Sequence, residues 1–311
     1  MGKIAFVFPG QGAQYPGMGR EAAEAGRAAA AVFDAGTEAL GFDLRALVFE
    51  GTEETLKITE NTQPAIVAAS LACMQPLLEA GIRPDMTAGL SLGEYCAHVC
   101  AGTLSAKDAI GLVRKRGRFM QEAVPAGVGS MAAILGLENE QVVEVCRKAS
   151  ATGVVEPANF NCPGQVVVAG EVAAVDAACA LAKEAGAKRA MPLAVSAPFH
   201  CSLLKPAGEA LAAELDGIDL ADMAIPVVTN VTGDVVASVG DVKALLVRQV
   251  SSSVRWEDCV RTMLAAGVDT FVEIGPGKVL NGFIKKIDKT ATVYNADDMA
   301  SIQETIAALK G

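Results

Sequence analysis

Short apolar segments alternate with longer segments of helical periodicity along most of the chain. Strands that alternate with helices in this way are typical of a mostly parallel sheet with helices on both faces. We therefore predict a large α/β unit. Its predicted strands are 4–8, 87–90, 226–230, 270–274 and 292–295, and its long predicted helices are 62–79, 106–123, 253–266 and 301–310.

The middle of the chain shows a different pattern, in which the predicted order is strand, helix, strand, strand, helix, strand. A turn at Pro163-Gly164 separates the two central strands. This order is that of the ferredoxin-like βαββαβ motif. The six predicted elements are 130–135, 138–149, 154–160, 165–169, 172–185 and 189–193.

Segments that contain glycine or proline flank this motif on both sides, and such segments commonly join folding units. We therefore predict that residues 127–195 form a small ferredoxin-like subdomain. It is inserted between the two parts of the large α/β subdomain, residues 1–126 and 196–311.

The composition suits a globular α/β protein, since 51% of the 311 residues are hydrophobic and only 5% are aromatic. Lysine and arginine number 26 against 36 acidic residues, a net charge of -10 that argues against nucleic-acid binding. The 8 cysteines include no Cys-x-x-Cys pair, so we expect reduced thiols in a cytoplasmic protein and no metal site. We expect no secretory signal and no membrane span.

Residues 89–93 read Gly-Leu-Ser-Leu-Gly and lie between a predicted strand and a predicted helix. In such a turn the two glycines permit a sharp bend that exposes the serine, here Ser91, for nucleophilic attack. The amide of Leu92 would then lie at a helix N-terminus, where it can bind an oxyanion. A plain connecting turn is the alternative, and the pentapeptide alone does not decide. A nucleophilic serine in such a turn is typical of α/β hydrolases, so we predict that the large subdomain is α/β-hydrolase-like.

A serine nucleophile needs a base, and the chain contains only 2 histidines, His98 and His200. His98 follows Ser91 by seven positions, about 10 Å along the predicted helix, so we predict a structural role for it. His200 lies in the loop that leaves the small subdomain, and loops often carry catalytic groups. We predict that His200 is the base, with an ordinary loop histidine as the alternative. No carboxylate adjoins it, and we interpret Cys201 as structural.

Arg116 lies on the apolar face of the predicted helix 106–123, where its neighbours one turn away are Leu112, Val113, Phe119 and Met120. A buried guanidinium needs an anionic partner or a full set of acceptors. That partner is either a carboxylate of the protein or a carboxylate of a substrate, which a guanidinium can hold by two parallel hydrogen bonds. Position alone leaves both interpretations open.

Two glycine-rich segments follow predicted strands. Gly10-Gln11-Gly12 begins like a dinucleotide-binding fingerprint, but Tyr15 occupies the place of the third glycine, which argues against a nicotinamide cofactor. This loop can instead offer the amide of Gln11 to an active site. Residues 275–278, Gly-Pro-Gly-Lys, lack the Walker A spacing, so we predict a tight turn before a helix.

These motifs occur together, in one order, and the chain closely resembles the malonyl-CoA:acyl carrier protein transacylases of bacterial fatty acid synthesis. The resemblance extends from the first strand to the last helix and includes the inserted subdomain. The segments that carry it are 10–14, 89–94, 116–121, 159–165 and 199–200.

The resemblance implies a catalytic role for several residues. Ser91 corresponds to the nucleophile and His200 to the base. Gln11 and Leu92 correspond to the backbone donors of the oxyanion hole. Gln249 corresponds to the position whose main-chain carbonyl orients the histidine, although the Ser-Ser-Ser sequence at 251–253 departs from the family's usual Asn-Pro.

The resemblance also implies a substrate site. Arg116 would bind the free carboxylate of the malonyl group, and Gln63, Met120 and Phe199 would contact the substrate. Phe199 before the histidine resembles the form that accompanies malonyl rather than branched units. Leu90 is a departure, because many members have histidine before the nucleophile.

The reaction that follows from the resemblance moves a malonyl group from malonyl-CoA to the phosphopantetheine thiol of acyl carrier protein, through a malonyl-serine ester. No cofactor is expected besides these substrates, and we expect a monomer. The alternatives are a malonyl acyltransferase of a polyketide pathway and a serine thioesterase or esterase of similar architecture.

Overall fold

The computed structural model describes residues 2–125, 127–195 and 197–311, which form two separate β-sheets and the helices that cover them. The strands are β1 (Lys3–Phe8), β2 (Met86–Gly89), β3 (Gly129–Leu135), β4 (Val155–Cys162), β5 (Gln165–Glu171), β6 (Arg189–Pro192), β7 (Val227–Val228), β8 (Val268–Ile274) and β9 (Thr292–Ala296). The helices are α1 (Arg20–Ala25), α2 (Arg27–Leu40), α3 (Leu44–Phe49), α4 (Glu53–Lys57), α5 (Thr59–Glu79), α6 (Gly93–Cys100), α7 (Ala106–Ala123), α8 (Asn139–Ala149), α9 (Val172–Glu184), α10 (Lys205–Asp216), α11 (Val239–Val250), α12 (Trp256–Ala265), α13 (Val279–Ile287) and α14 (Met299–Lys310).

The larger sheet has the strand order β7-β2-β1-β8-β9, and each neighbouring pair is parallel. Residues 5–8 of β1 are completely buried, as expected for a central parallel strand that helices cover on both faces. The predicted α/β class with a mostly parallel sheet is confirmed. The carboxyl ends of β1 and β2 lie side by side at one edge, and the glycine-rich loop and the Ser91 turn follow them.

The smaller sheet has the strand order β4-β5-β3-β6, with antiparallel pairs. Helices α8 and α9 pack on one face through a separate apolar cluster that includes Ile134, Val166 and Val175. Strand order and connectivity are those of the predicted ferredoxin-like βαββαβ motif. The limits of this subdomain remain a prediction, since residues 126 and 196 lie outside the described residues.

The predicted strand 226–230 is shorter than expected. Only Val227–Val228 pairs with β2, because the chain turns away from the sheet at its carboxyl end. The backbone amide of Asn230 donates there to the side chain of Glu94 at 2.8 Å and not to a neighbouring strand. The end of this strand is therefore held by the first turn of α6, the helix that follows Ser91.

The predicted helix 253–266 begins later, at Trp256. Val254 instead joins the edge of the small sheet, where its amide donates to the carbonyl of Ala158 at 2.8 Å and its carbonyl accepts from Phe160 at 2.9 Å. Extended backbone at Val254 is incompatible with a helix, so α12 starts after it. This bridge ties the segment after α11 to the small sheet.

Helices α5 and α7 pack against each other beside the larger sheet and belong to the main apolar core. Helix α7 has the predicted bounds and buries Arg116 together with Leu112, Val113 and Met120. Within the described residues, no helix combines the length and apolarity that a membrane crossing requires. The eight cysteines are free thiols.

Candidate active site

Ser91 occupies a strained turn between β2 and α6. Its φ of 56° lies in the left-handed region, which is unusual for a residue other than glycine. A Cβ at position 89 would lie 1.9 Å from the carbonyl carbon of Gly93, and a Cβ at position 93 would lie 2.4 Å from the carbonyl oxygen of Phe8. Both glycines are therefore required by close backbone packing, and the turn directs the serine hydroxyl away from the sheet.

The side chain of Asn230 holds this turn in place. Its Oδ1 accepts from the amide of Ser91 at 2.6 Å, and its Nδ2 donates to the carbonyl of Gly89 at 2.7 Å. Two buried hydrogen bonds to the backbone, one at the strained residue and one just before it, oppose its relaxation. Asn230 was not identified from the sequence, although its position at the carboxyl end of a predicted strand is where site residues of parallel sheets gather.

His200 lies directly beside the serine. Its Nε2 is 2.7 Å from Ser91 Oγ, and its Nδ1 is 2.9 Å from the main-chain carbonyl of Gln249. Because a carbonyl only accepts, Nδ1 carries the proton and Nε2 is free to accept one from the serine. Burial, together with the positive charge of Arg116, lowers the pKa of His200 from 6.5 to about 3. The imidazole is thus a neutral acceptor at neutral pH.

His98 lies elsewhere, on α6, and is completely buried. Neither of its ring nitrogens has a hydrogen-bond partner among the described residues, and burial lowers its pKa to about 4. The structure brings only His200, and not His98, to Ser91, as the spacing along the helix predicts.

Replacing His98 by leucine should stabilise the fold. A buried imidazole without partners carries an uncompensated desolvation cost, so we expect the free energy of unfolding to rise by about 1–3 kcal/mol. The gain should grow as the pH falls from 6.5 toward about 4, because the unfolded histidine then binds a proton that the folded one does not. Urea unfolding at pH 7.5 and pH 5.5 measures both effects. A less stable His98→Leu variant would show that the imidazole has a favourable contact.

Arg116 completes the floor of the site and is only 1% exposed. Its Nη1 donates to Gln63 Oε1 at 2.8 Å, and its Nη2 lies 3.1 Å from Ser91 Oγ and 3.0 Å from Gln249 Oε1. All of these partners are uncharged, and no ion pair of the described residues includes Arg116. Its Nε has no partner within the same part of the chain. The alternative of a directly paired protein carboxylate is therefore not what the structure shows.

The two predicted oxyanion donors belong to loops that touch each other. Gly10 lies so close to the Ser91 turn that a Cβ there would be 2.9 Å from the carbonyl oxygen of Leu90. This contact brings the adjacent Gln11 to the site, while Leu92 begins the turn into α6. Within the described chain, neither backbone N–H donates a hydrogen bond to another residue. Both amides are available to an anion, and their role remains a prediction.

A cavity of about 210 Å³ opens above these groups, between the larger sheet and the small subdomain. Its floor carries the predicted polar residues, and its walls are mainly apolar. Leu92 and Gln249 do not line it, and the carbonyl of Gln249 contacts His200 from outside the cavity. The lining residues are Gln11, Gln63, Leu90, Ser91, Arg116, Met120, Met131, Asn159, Asn161, Val167, Leu193, Val195, Phe199, His200, Val279 and Phe283.

A serine in a strained strand-to-helix turn, hydrogen-bonded to a neutral histidine, is typical of α/β enzymes that act through an acyl-serine ester. The fold and the site therefore place the protein in the class of serine-dependent acyl-transfer enzymes. The buried guanidinium beside the serine distinguishes it within that class, because it offers a charge to an acidic acyl group.

A family model described as the acyl transferase domain matches residues 5–305. The malonyl CoA-acyl carrier protein transacylase of Bacillus subtilis (strain 168) is 50% identical over 311 residues, which are 100% of this chain and 98% of the relative. The crystal structure of the malonyl CoA-acyl carrier protein transacylase from Clostridium perfringens has a TM-score of 0.96 and 44% identity, over 99% of this chain and 97% of that one.

A third match is the structure of a type II PKS acyl-carrier protein in complex with its malonyl-transacylase. It has a TM-score of 0.95 and 46% identity, over 98% of this chain and 99% of that one. The chain belongs to the acyl transferase family, and within it to the malonyl CoA-acyl carrier protein transacylases.

Proposed function

We propose that the protein transfers a malonyl group from malonyl-CoA to the phosphopantetheine thiol of an acyl carrier protein, through a malonyl ester of Ser91. The observation that carries the proposal is the position of the serine hydroxyl, 2.7 Å from His200 Nε2 and 3.1 Å from Arg116 Nη2. A base and a carboxylate-binding group thus flank one nucleophile, as a short diacid thioester requires. The names of the relatives agree with this substrate.

In the first half-reaction, Ser91 Oγ attacks the thioester carbonyl and its proton passes to His200 Nε2. The main-chain carbonyl of Gln249 holds the Nδ1 proton and favours the imidazolium that forms. The oxyanion is stabilised by the amides of Gln11 and Leu92. The carbon–sulfur bond then breaks, His200 gives its proton to the departing coenzyme A thiolate, and the malonyl ester remains.

The second half-reaction repeats these steps in reverse with a different thiol. The phosphopantetheine thiol gives its proton to His200, and its sulfur attacks the ester carbonyl. The carbon–oxygen bond breaks, and Ser91 Oγ recovers the proton from the imidazolium. Apolar walls that include Leu90 and Phe199 limit access of water, which would otherwise hydrolyse the ester.

The substrate carboxylate is proposed to bind Arg116 through two parallel hydrogen bonds. Gln63 occupies one Nη of the guanidinium and is itself held by a contact of its Nε2 with Met120 Sδ at 3.6 Å. These two residues therefore orient the guanidinium, while Phe199 closes the wall beside the base. All groups of the site come from one chain, which supports the proposal that a monomer is active.

The pathway depends on which carrier protein accepts the malonyl group. The family resemblance favours the carrier of fatty acid synthesis, and we propose this pathway as the main one. A second candidate, supply of a polyketide carrier, is favoured by the solved complex of a malonyl-transacylase with a type II PKS acyl-carrier protein. The rates of discharge of the malonyl enzyme by each of the two holo carriers would separate them.

Intact-protein mass measurement tests the proposal. After mixing with malonyl-CoA, the protein should gain the mass of one malonyl group, located on Ser91 by peptide mapping. Addition of a holo carrier protein should remove that mass and add it to the carrier, much faster than water alone. Absence of an adduct would refute covalent transfer, and loss to water as fast as to carrier would indicate an esterase.

The low pKa of His200 predicts an unusual pH profile. Neutral imidazole is the active form, so kcat/KM for acylation should stay nearly constant as the pH falls from 8 to about 5. A base with an ordinary pKa of 6.5 would lose most of its activity over that range. Rapid mixing from pH 8 into buffers of lower pH measures acylation before the fold responds. A tenfold loss by pH 5.5 would contradict the prediction.

A further inference from the structure

A buried carboxylate lies directly beneath the site. Glu94 has 0% exposure and receives three hydrogen bonds. Its Oε1 accepts from the Thr229 hydroxyl at 2.9 Å, and its Oε2 accepts from the Asn230 amide at 2.8 Å and from Gln249 Nε2 at 2.9 Å. The two N–H donors that converge on Oε2, together with the charge of Arg116, favour the ionised carboxylate. Burial raises the pKa of Glu94, and these donors and the charge of Arg116 oppose that rise.

The side-chain amide of Gln249 connects this carboxylate to the guanidinium. Its Nε2 donates to Glu94 Oε2 at 2.9 Å and to the carbonyl of Ser91 at 3.0 Å. Its Oε1 accepts from Arg116 Nη2 at 3.0 Å. Carboxylate, amide and guanidinium thus form one continuous chain of hydrogen bonds, with the amide between the two charges.

We infer that Glu94 is the counter-charge of Arg116 and a positioning residue that acts through the Gln249 amide to set the preference for acyl groups bearing a carboxylate. This inference rests on the proposed function. The Glu94 side chain does not line the cavity, so it acts on the guanidinium through Gln249. Its contact with the Asn230 amide supports the Ser91 turn, which affects all acyl groups alike.

The separation of the two charges has a physical consequence. A buried guanidinium without any anion nearby would be costly, whereas a direct ion pair would occupy the fork that the substrate needs. An amide between them keeps partial compensation, and its neutral contact with Nη2 is easier for a substrate carboxylate to displace than an ion pair. A malonyl carboxylate then shares the guanidinium with Glu94, whose negative charge weakens the attraction. Removal of the Glu94 charge should therefore strengthen the preference for malonyl.

The arrangement of donors around Glu94 allows its charge to be removed while its hydrogen bonds are kept. Two donors converge on Oε2, and Oε1 has only the Thr229 hydroxyl, which can accept as well as donate. In Glu94→Gln the amide oxygen can take the place of Oε2, and the amide nitrogen can donate to Thr229. Glu94→Ala, by contrast, leaves the Asn230 and Gln249 donors unsatisfied.

The test compares kcat/KM for malonyl-CoA and acetyl-CoA in the wild type and in Glu94→Gln. The ratio of the two constants cancels effects on the serine and the base, which a purely structural role would change for both substrates alike. We expect the malonyl-to-acetyl ratio to rise about tenfold in Glu94→Gln, the order expected for two like charges separated by an amide and a guanidinium at an effective dielectric constant of about 20. Glu94→Ala should lose activity toward both substrates.

The matched control is Glu257→Gln, which neutralises another largely buried carboxylate whose partners are Asn139 and Arg261. Its ratio should equal that of the wild type. Glu94→Asp gives a second measurement that does not depend on Glu94→Gln folding. It keeps the charge, so its ratio should stay within threefold of wild type while kcat falls.

An unchanged ratio in Glu94→Gln, or a shifted ratio in Glu94→Asp, would overturn the inference. These outcomes differ from failure of the proposed function, in which the wild type itself would form no malonyl ester. The wild-type adduct is therefore measured by mass in the same experiment.

Discussion

Replacing His200 by alanine is expected to slow formation of the malonyl ester on Ser91 by about a thousandfold to a hundred-thousandfold. The serine hydroxyl has one basic neighbour in the described site, His200 Nε2 at 2.7 Å, because its other side-chain contact is the permanently protonated Arg116. Without the imidazole, the proton must leave to water in a largely apolar cavity. Rapid-quench mass measurement of the ester gives the rate directly.

The fold should tolerate this substitution. His200 has a φ of 62°, and alanine meets a similar steric cost there, so the change adds little backbone strain. The matched control is His98→Leu, which removes the other buried histidine and should acylate at the wild-type rate. If His200→Ala kept its acylation rate within tenfold of wild type while folded, another group would have to be the base.

The alternation of short apolar segments with helical segments predicts both sheets, because it is a local property of the sequence. The prediction fails where contacts between distant residues override the local preference. Val254 follows a serine run and precedes a clear helix, and only its pairing with β4, nearly a hundred positions earlier, keeps it extended. Helices α2 and α10 were not among the long helices that the sequence predicts.

The same limit applies to the site. The Ser91 turn is a local motif, and the pair with His200 could be anticipated because the chain has only 2 histidines. Glu94 gave no comparable signal, since acidic residues are common in the first turn of a helix. Its importance depends on Asn230 and Gln249, which lie 136 and 155 positions away and approach it only in the fold.

Replacing Arg116 by alanine should lower kcat/KM for malonyl-CoA by about a hundredfold to a thousandfold, and that for acetyl-CoA much less. The loss for malonyl is that of a charge-assisted, bidentate contact in a buried site. Acetyl has no carboxylate that could lose a partner. In the variant, bound acetyl also no longer leaves a buried guanidinium without an anion. The preference for malonyl should therefore collapse, which competition between the two thioesters measures by mass on a single sample.

Three variants separate the carboxylate contact from a general effect of charge or packing. Arg118→Ala lies on the same helix, but its side chain is 52% exposed and near Glu122, so it should leave the preference unchanged. Arg116→Lys keeps the charge without the planar fork and should recover only part of the malonyl rate.

Arg116→Ala also leaves the Oε1 atoms of Gln63 and Gln249 without their donor, which predicts a smaller loss shared by both substrates. Equal losses for malonyl and acetyl would mean that Arg116 only supports the floor of the cavity. A much larger loss for malonyl than for acetyl would mean that the guanidinium recognises the substrate carboxylate.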